Sequence, residues 1–204
     1  MSLLGPGLTL YVRSRTLPAT LATLLGTAAV AAWSASWLQS QPAFDHTARV
    51  PVVVLGPLLA ASAIGTSLYA ASDELDRAAP RPWPPRRVAH VLALTAVAVV
   101  LLALAVPGHA EEFGGPAMVR NTLGAVGVTV ASAALIGARP SWLPMTVYVG
   151  SVYVAAPSTP GGTAAVWAWV MQPGPQAAAW AVALGAFAGG TALYAFRGAR
   201  PVRT

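Results

Sequence analysis

Three of the chain's six acidic residues, Asp73, Glu74 and Asp76, fall together between Ser72 and Arg77. A serine followed by carboxylates suits the start of a helix. The hydroxyl can accept from a free N–H, and the negative groups suit the positive end of the helix dipole. The pattern predicts a short helix from about Asp73 to Ala79, stopped by Pro80 and Pro82. Its plain reading is a solvated turn. Its functional reading is a charged helix offered to a soluble partner. Two other places gather metal-ligating types: Asp45 with His46, and His109 with Glu111 and Glu112. Solvated loops explain both, and no metal site is assigned. The three histidines are far apart in sequence, no His-Glu-x-x-His motif occurs, and no cysteine is available for thiolate ligation or disulfides. Lysine is also absent. A Walker A loop needs a lysine on the nucleotide phosphates, so this chain carries no such loop of its own.

The elements that must position these groups are apolar. Apolar residues make up 56% of the chain, charged residues 9%, and mean hydropathy is +0.63. A soluble domain is about one quarter charged. So few charges cannot cover a water-facing surface of this size, so most of that surface must face lipid or a partner. The expected class is all-α, a polytopic helical membrane protein of one domain over residues 1–204. A membrane crossing takes roughly 20 apolar residues. Runs that meet this, or nearly so, lie at about Leu17–Leu38, Val50–Ala71, Val88–Val106, Val119–Ala138 and Ala177–Phe196. Trp142–Ala156 is apolar but short, and counts as a sixth crossing. Thr163–Met171 is shorter still, inside a Pro- and Gly-broken stretch at 157–176. That stretch is expected to be re-entrant on the outer face, or else an interfacial helix anchored by Trp167 and Trp169.

Arginine placement orients the spans. With the N-terminus inside, ten of the twelve arginines are cytoplasmic, and only Arg49 and Arg120 are outside. The positive-inside bias therefore places both termini in the cytoplasm and the chain in the cell membrane. The formal charge of +6 belongs to the ends of apolar runs, where anionic lipid accounts for it better than nucleic acid. The first residues do not read as a cleavable signal peptide: Arg13 and Arg15 come late, and no small-x-small site follows. The span interiors are expected to lack Asp, Glu and Arg, with His90 interfacial. That argues against a proton-coupled transporter and against most intramembrane hydrolases. Gly185-x-x-x-Gly189 and Ala22-x-x-x-Gly26 are candidate close-contact motifs. Thr66, Ser67, Asn121, Thr122, Thr129 and Ser132 are candidates for bonding across helices or lining a path.

In layout the chain resembles the permease subunits of ABC-2-type transporters. Residues 1–16 match a membrane-lying cytoplasmic segment, 72–87 a coupling loop between spans two and three, and 157–176 a re-entrant element before the last span. The resemblance implies a dimer, homomeric or with a related permease, bound to separate ABC ATPase subunits that hold ATP and Mg. It implies that Ser72, Asp73, Glu74, Asp76 and Arg77 transmit ATPase motion in an exporter. This chain itself would not be an enzyme. The competing expectation is a non-transporting scaffold or regulatory subunit. An intramembrane lipid transferase is a third, disfavoured because the acidic cluster lacks the Asp-Gly repeats of CDP-alcohol phosphotransferases.

Overall fold

The computed structural model describes residues 17–41, 43, 46–69, 83–108, 111–157 and 159–200. All regular structure among them is helical. The elements are α1 (Leu17–Ser40), a 3-10 turn (His46–Arg49), α2 (Val50–Ser67), α3 (Trp83–Ala105), α4 (Gly115–Ile136), α5 (Leu143–Ala155), α6 (Ala164–Trp167), a second 3-10 turn (Trp169–Met171) and α7 (Ala177–Arg197). Five of these, α1, α2, α3, α4 and α7, are long and apolar enough to cross a membrane. The architecture is that of a helical membrane protein.

Two helix starts lie earlier than the apolar runs suggest. Helix α3 begins at Trp83, with Pro84 and Pro85 in its first turn. Proline is tolerated there because the first N–H groups have no helical acceptor to lose. Arg86 and Arg87 are therefore helical, and the loop between α2 and α3 ends before residue 83 rather than at 87. Helix α4 begins at Gly115-Pro116, so Arg120 lies in its second turn. It is not an outer-loop residue, and the expectation of spans free of buried charge fails there.

Helix α4 is the axis of the bundle: fourteen of its 22 residues are buried. Its small residues set how closely its neighbours approach. A Cβ on Gly127 would strike the backbone of Ala186 and Phe187, and one on Gly190 would strike the Gly127 carbonyl. Backbone thus meets backbone where α4 crosses α7, as small residues allow between apolar helices. Gly185 and Gly189 have open space before them, as does Gly26. The working pair is Ala186 and Gly190, one residue further along than the motif read from sequence.

Contacts fix helix directions. Arg120 of α4 reaches Gln172 and Pro173, before α7, and Ala133 near the end of α4 accepts from the Arg200 N–H, just after α7. Helices α4 and α7 are therefore parallel. Helix α2 runs the same way, since Asn121 reaches Val53 while Gly65 faces Thr129. Helix α3 is opposed to α2: Leu102 lies by Gly56, and His90 by Ser67. Residues 137–176 must carry the chain back along the bundle. Helix α5 has 13 residues, about 20 Å at 1.5 Å per residue. It starts deep, because buried Ser141 packs at Gly65 beside Thr129, about 10 Å inside the end of α4.

Candidate functional site

The residues singled out from sequence for partner contact, Ser72, Asp73, Glu74, Asp76 and Arg77, lie outside the described residues, as do Asp45 and His109. Glu111 and Glu112 are described and exposed; the Glu112 backbone carbonyl accepts from the Gly174 N–H at 2.6 Å. The structure builds its most elaborate polar site elsewhere, around Arg120 and Asn121.

That site begins with a proline. Pro57 lies inside α2. It has no N–H, so the carbonyl four residues earlier, on Val53, loses its helical donor. Asn121 replaces it: Nδ2 donates to the Val53 carbonyl at 2.9 Å and to the Val170 carbonyl at 2.7 Å. Its Oδ1 accepts from Arg120 Nε at 3.0 Å. The guanidinium then forks. Nη1 donates to the Pro173 carbonyl and Nη2 to the Gln172 carbonyl, both at 2.7 Å. The two side chains are wholly enclosed, at 0% and 1% exposure.

Val170, Gln172 and Pro173 belong to the broken stretch, where the ladder of helical bonds is interrupted and carbonyls need other donors. Irregular backbone at membrane depth is tolerated only when protein satisfies it. The stretch is also packed, not merely bonded. Trp169 is 4% exposed, with its indole seated on Gly124, where any Cβ would collide with the ring. Tyr148 of α5 stacks on Trp169 with centroids 6.0 Å apart and 16° between planes, and its hydroxyl donates to the Trp167 carbonyl at 2.9 Å. Gln172 Oε1 accepts from the Gly161 N–H at 2.8 Å, and Trp180 Nε1 donates to the Gly174 carbonyl at 2.8 Å. The stretch is thus inserted among α2, α4, α5 and α7. Trp167, at 41% exposure, remains outward as an anchor; Trp169 does not.

Chemically this is a lock. Among the described residues, the guanidinium bonds only neutral oxygens. A second buried polar pair, Ser67 and His90, lies at the other end of α2. There Ser67 Oγ donates to the Ile64 carbonyl at 2.7 Å and lies 3.3 Å from His90 Nε2 of α3. His90 is buried at the α2–α3 contact, about one turn after Arg86 and Arg87.

At that same end the arginines close helix termini. Arg200 donates through Nη1 to the Leu135 carbonyl at 2.9 Å, and Arg87 through Nη1 to the Ala195 carbonyl at 3.4 Å. Cations there suit the negative ends of α4 and α7. The Arg87 guanidinium lies over Gly198, whose φ of 71° also favours glycine. Arg139 sits 4.5 Å from the centre of the Tyr69 ring, at the described edge of the α2–α3 loop.

Among the other polar candidates, Thr66, Ser67, Thr122 and Ser132 donate to carbonyls of their own helices. Thr129 Oγ1 is buried without a partner. Asn121 bonds across helices, and Ser67 meets His90 of α3 across the α2–α3 contact. No protein-family model, no curated protein and no solved structure matches the chain.

Proposed function

We propose that this chain is the membrane permease subunit of an ATP-driven ABC exporter, with six crossings and both termini cytoplasmic. The observation that carries the reading is the return of the chain between two parallel helices. Because α4 and α7 run the same way, the segment between them crosses back, and it does so as a short helix followed by a broken, protein-buried stretch. That is the layout expected of a re-entrant element before a last span. Directions then alternate from α1 to α5, and α7 repeats that of α4. The start of α1 and the end of α7 fall at the end holding Arg86, Arg87, Arg139, Arg197 and Arg200, which is the cytoplasmic side by the positive-inside rule.

The α2–α3 loop belongs to that same side. In the proposed mechanism Ser72, Asp73, Glu74, Asp76 and Arg77 engage a separate ATPase, which binds ATP and Mg. Its closure moves α2 and α3. The motion can reach the opposite end through Val53, Asn121 and Val170, where one amide ties α2, α4 and the broken stretch together. The path would run between two copies or between this chain and a related one.

A second reading is favoured by the hydroxyls of Thr66, Ser67, Thr122 and Ser132, each of which donates to a carbonyl of its own helix. On that reading the protein is a non-transporting scaffold or regulatory subunit. Purification in mild detergent with its co-encoded proteins separates the two. The transporter reading expects a stoichiometric ATPase in the eluate, lost when Asp73, Glu74 and Asp76 are changed to lysine. An eluate without nucleotide hydrolysis sinks it and leaves the scaffold.

A further inference from the structure

We propose that Arg49, at the N-terminal end of α2, binds a phosphate group at the outer face of the membrane, carried by a phospholipid headgroup or free in solution. The proposal rests on the helical membrane architecture and its orientation by arginines, and not on transport. Arg49 closes the 3-10 turn His46–Arg49 and stands immediately before Val50, where α2 begins. It is the wrong residue for that place on two counts. Helix starts favour Ser, Thr, Asp or Asn, whose oxygens accept from free N–H groups, and a guanidinium has only donors. The start of α2 accordingly has no side-chain cap. A cation there also adds to the positive end of the helix dipole instead of opposing it.

Burial is the third count. Arg49 is 2% exposed, and its Nη1 is enclosed without a hydrogen-bond partner. Arg120, equally buried, donates through Nε, Nη1 and Nη2. A guanidinium withdrawn from water and left unbonded is strongly unfavourable. An anion at this spot removes all three costs together. It answers the cation, the dipole and the missing acceptor, which is why helix N-termini hold anions elsewhere. Phosphate in particular matches the planar fork of a guanidinium.

Two carboxylates of the chain compete for the role. Glu112 acts on Arg49 electrostatically, but its side chain is exposed and no ion pair joins the two. Asp45, four positions before Arg49, lies outside the described residues. Membrane depth favours phosphate. Trp33 and Trp37, in the last turns of α1, are 68% and 49% exposed and mark the interface just ahead of this turn. Headgroup phosphates lie at that boundary. Nη1 has no bond to lose, so the guanidinium can turn outward to meet one on its flexible stem.

The test uses the full chain in mild detergent, with bound lipid counted by native mass spectrometry. Phosphatidylglycerol is compared with the diacylglycerol of the same chains, which lacks phosphate, and with inorganic phosphate as competitor at matched ionic strength. The first phosphatidylglycerol should bind about tenfold more tightly than the diacylglycerol, the size of one hydrogen bond to a charged group. Arg49→Gln should remove that advantage, and Arg49→Lys, which keeps the charge without the fork, should remove part of it. Arg197→Gln, exposed at the end of α7, should leave it intact. Glu112→Gln and Asp45→Asn should leave it intact or enlarge it. Displacement of the lipid by inorganic phosphate, absent in Arg49→Gln, upholds the site and assigns it to a free anion. Equal binding of the diacylglycerol needs no variant and overturns the proposal, since acyl chains alone then hold the lipid. An advantage that survives Arg49→Gln, or that Arg197→Gln removes as well, overturns it too. Loss in Glu112→Gln or Asp45→Asn would show Arg49 paired within the chain, and would also overturn it.

Discussion

Pro57 and Asn121 form one device on two helices: the proline removes a donor from α2, and the amide on α4 returns it. Their energies should therefore not add. Asn121→Leu strands the Val53 and Val170 carbonyls in the interior and should cost about 2–6 kcal/mol, at 1–3 kcal/mol per buried unpaired group. Pro57→Ala restores an N–H for Val53. In that background the same Asn121→Leu should cost about 1 kcal/mol less. Denaturant titration of the four proteins in one detergent measures the cycle, and strict additivity would refute the pairing. Little of this was legible in the sequence. Asn121 is among the residues whose type and place in the fourth apolar run predict a bond across helices, whereas Arg120, at the edge of that run, reads as outside. The missed signal was Gly115-Pro116, a helix start that puts both residues in the second turn. Even then, no sequence pattern links Asn121 to a carbonyl exposed by a proline 64 positions earlier.

At the scale of elements, the helices themselves were readable, because long apolar runs have few other folds open to them in a membrane. Which faces meet was not. Alanine and glycine occur so often here that Gly185-x-x-x-Gly189 and Ala186-x-x-x-Gly190 are equally good motifs, about 100° apart on the same helix. Only the second pair meets α4. Gly190→Ala should thus force α7 away from the Gly127 carbonyl and destabilise the protein by about 1–3 kcal/mol, as overpacking does. Gly185→Ala and Gly189→Ala meet open space and should leave stability unchanged or slightly raised, through the better helix propensity of alanine. Thermal unfolding of the three variants in detergent gives the comparison. Equal losses would mean that the outer pair packs on something as well.

For the whole molecule, the number of crossings decides where the C-terminus lies. Five helices qualify by length and composition, and an odd number would leave the two termini on opposite sides. The parallel run of α4 and α7 points to an even number, because the chain that leaves α4 near Gly137 begins α7 beside Arg120. A 13-residue helix suffices for most of that return, since its start is sunk about 10 Å into the bundle and the Arg120–Asn121 lock holds the rest. The chain has no cysteine, so single cysteines report sidedness without background. Cysteines at Gln39, Glu111 and Thr159 should react with an impermeant maleimide in intact cells. Cysteines at Ser72 and Thr204 should react only after permeabilisation. If α5 and the broken stretch do not cross, the label at Thr204 appears in intact cells while that at Ser72 stays hidden. That one difference would split the termini and remove the re-entrant element. The α2–α3 loop and the 1–16 segment would then be left to carry the likeness to an ATPase-coupled permease.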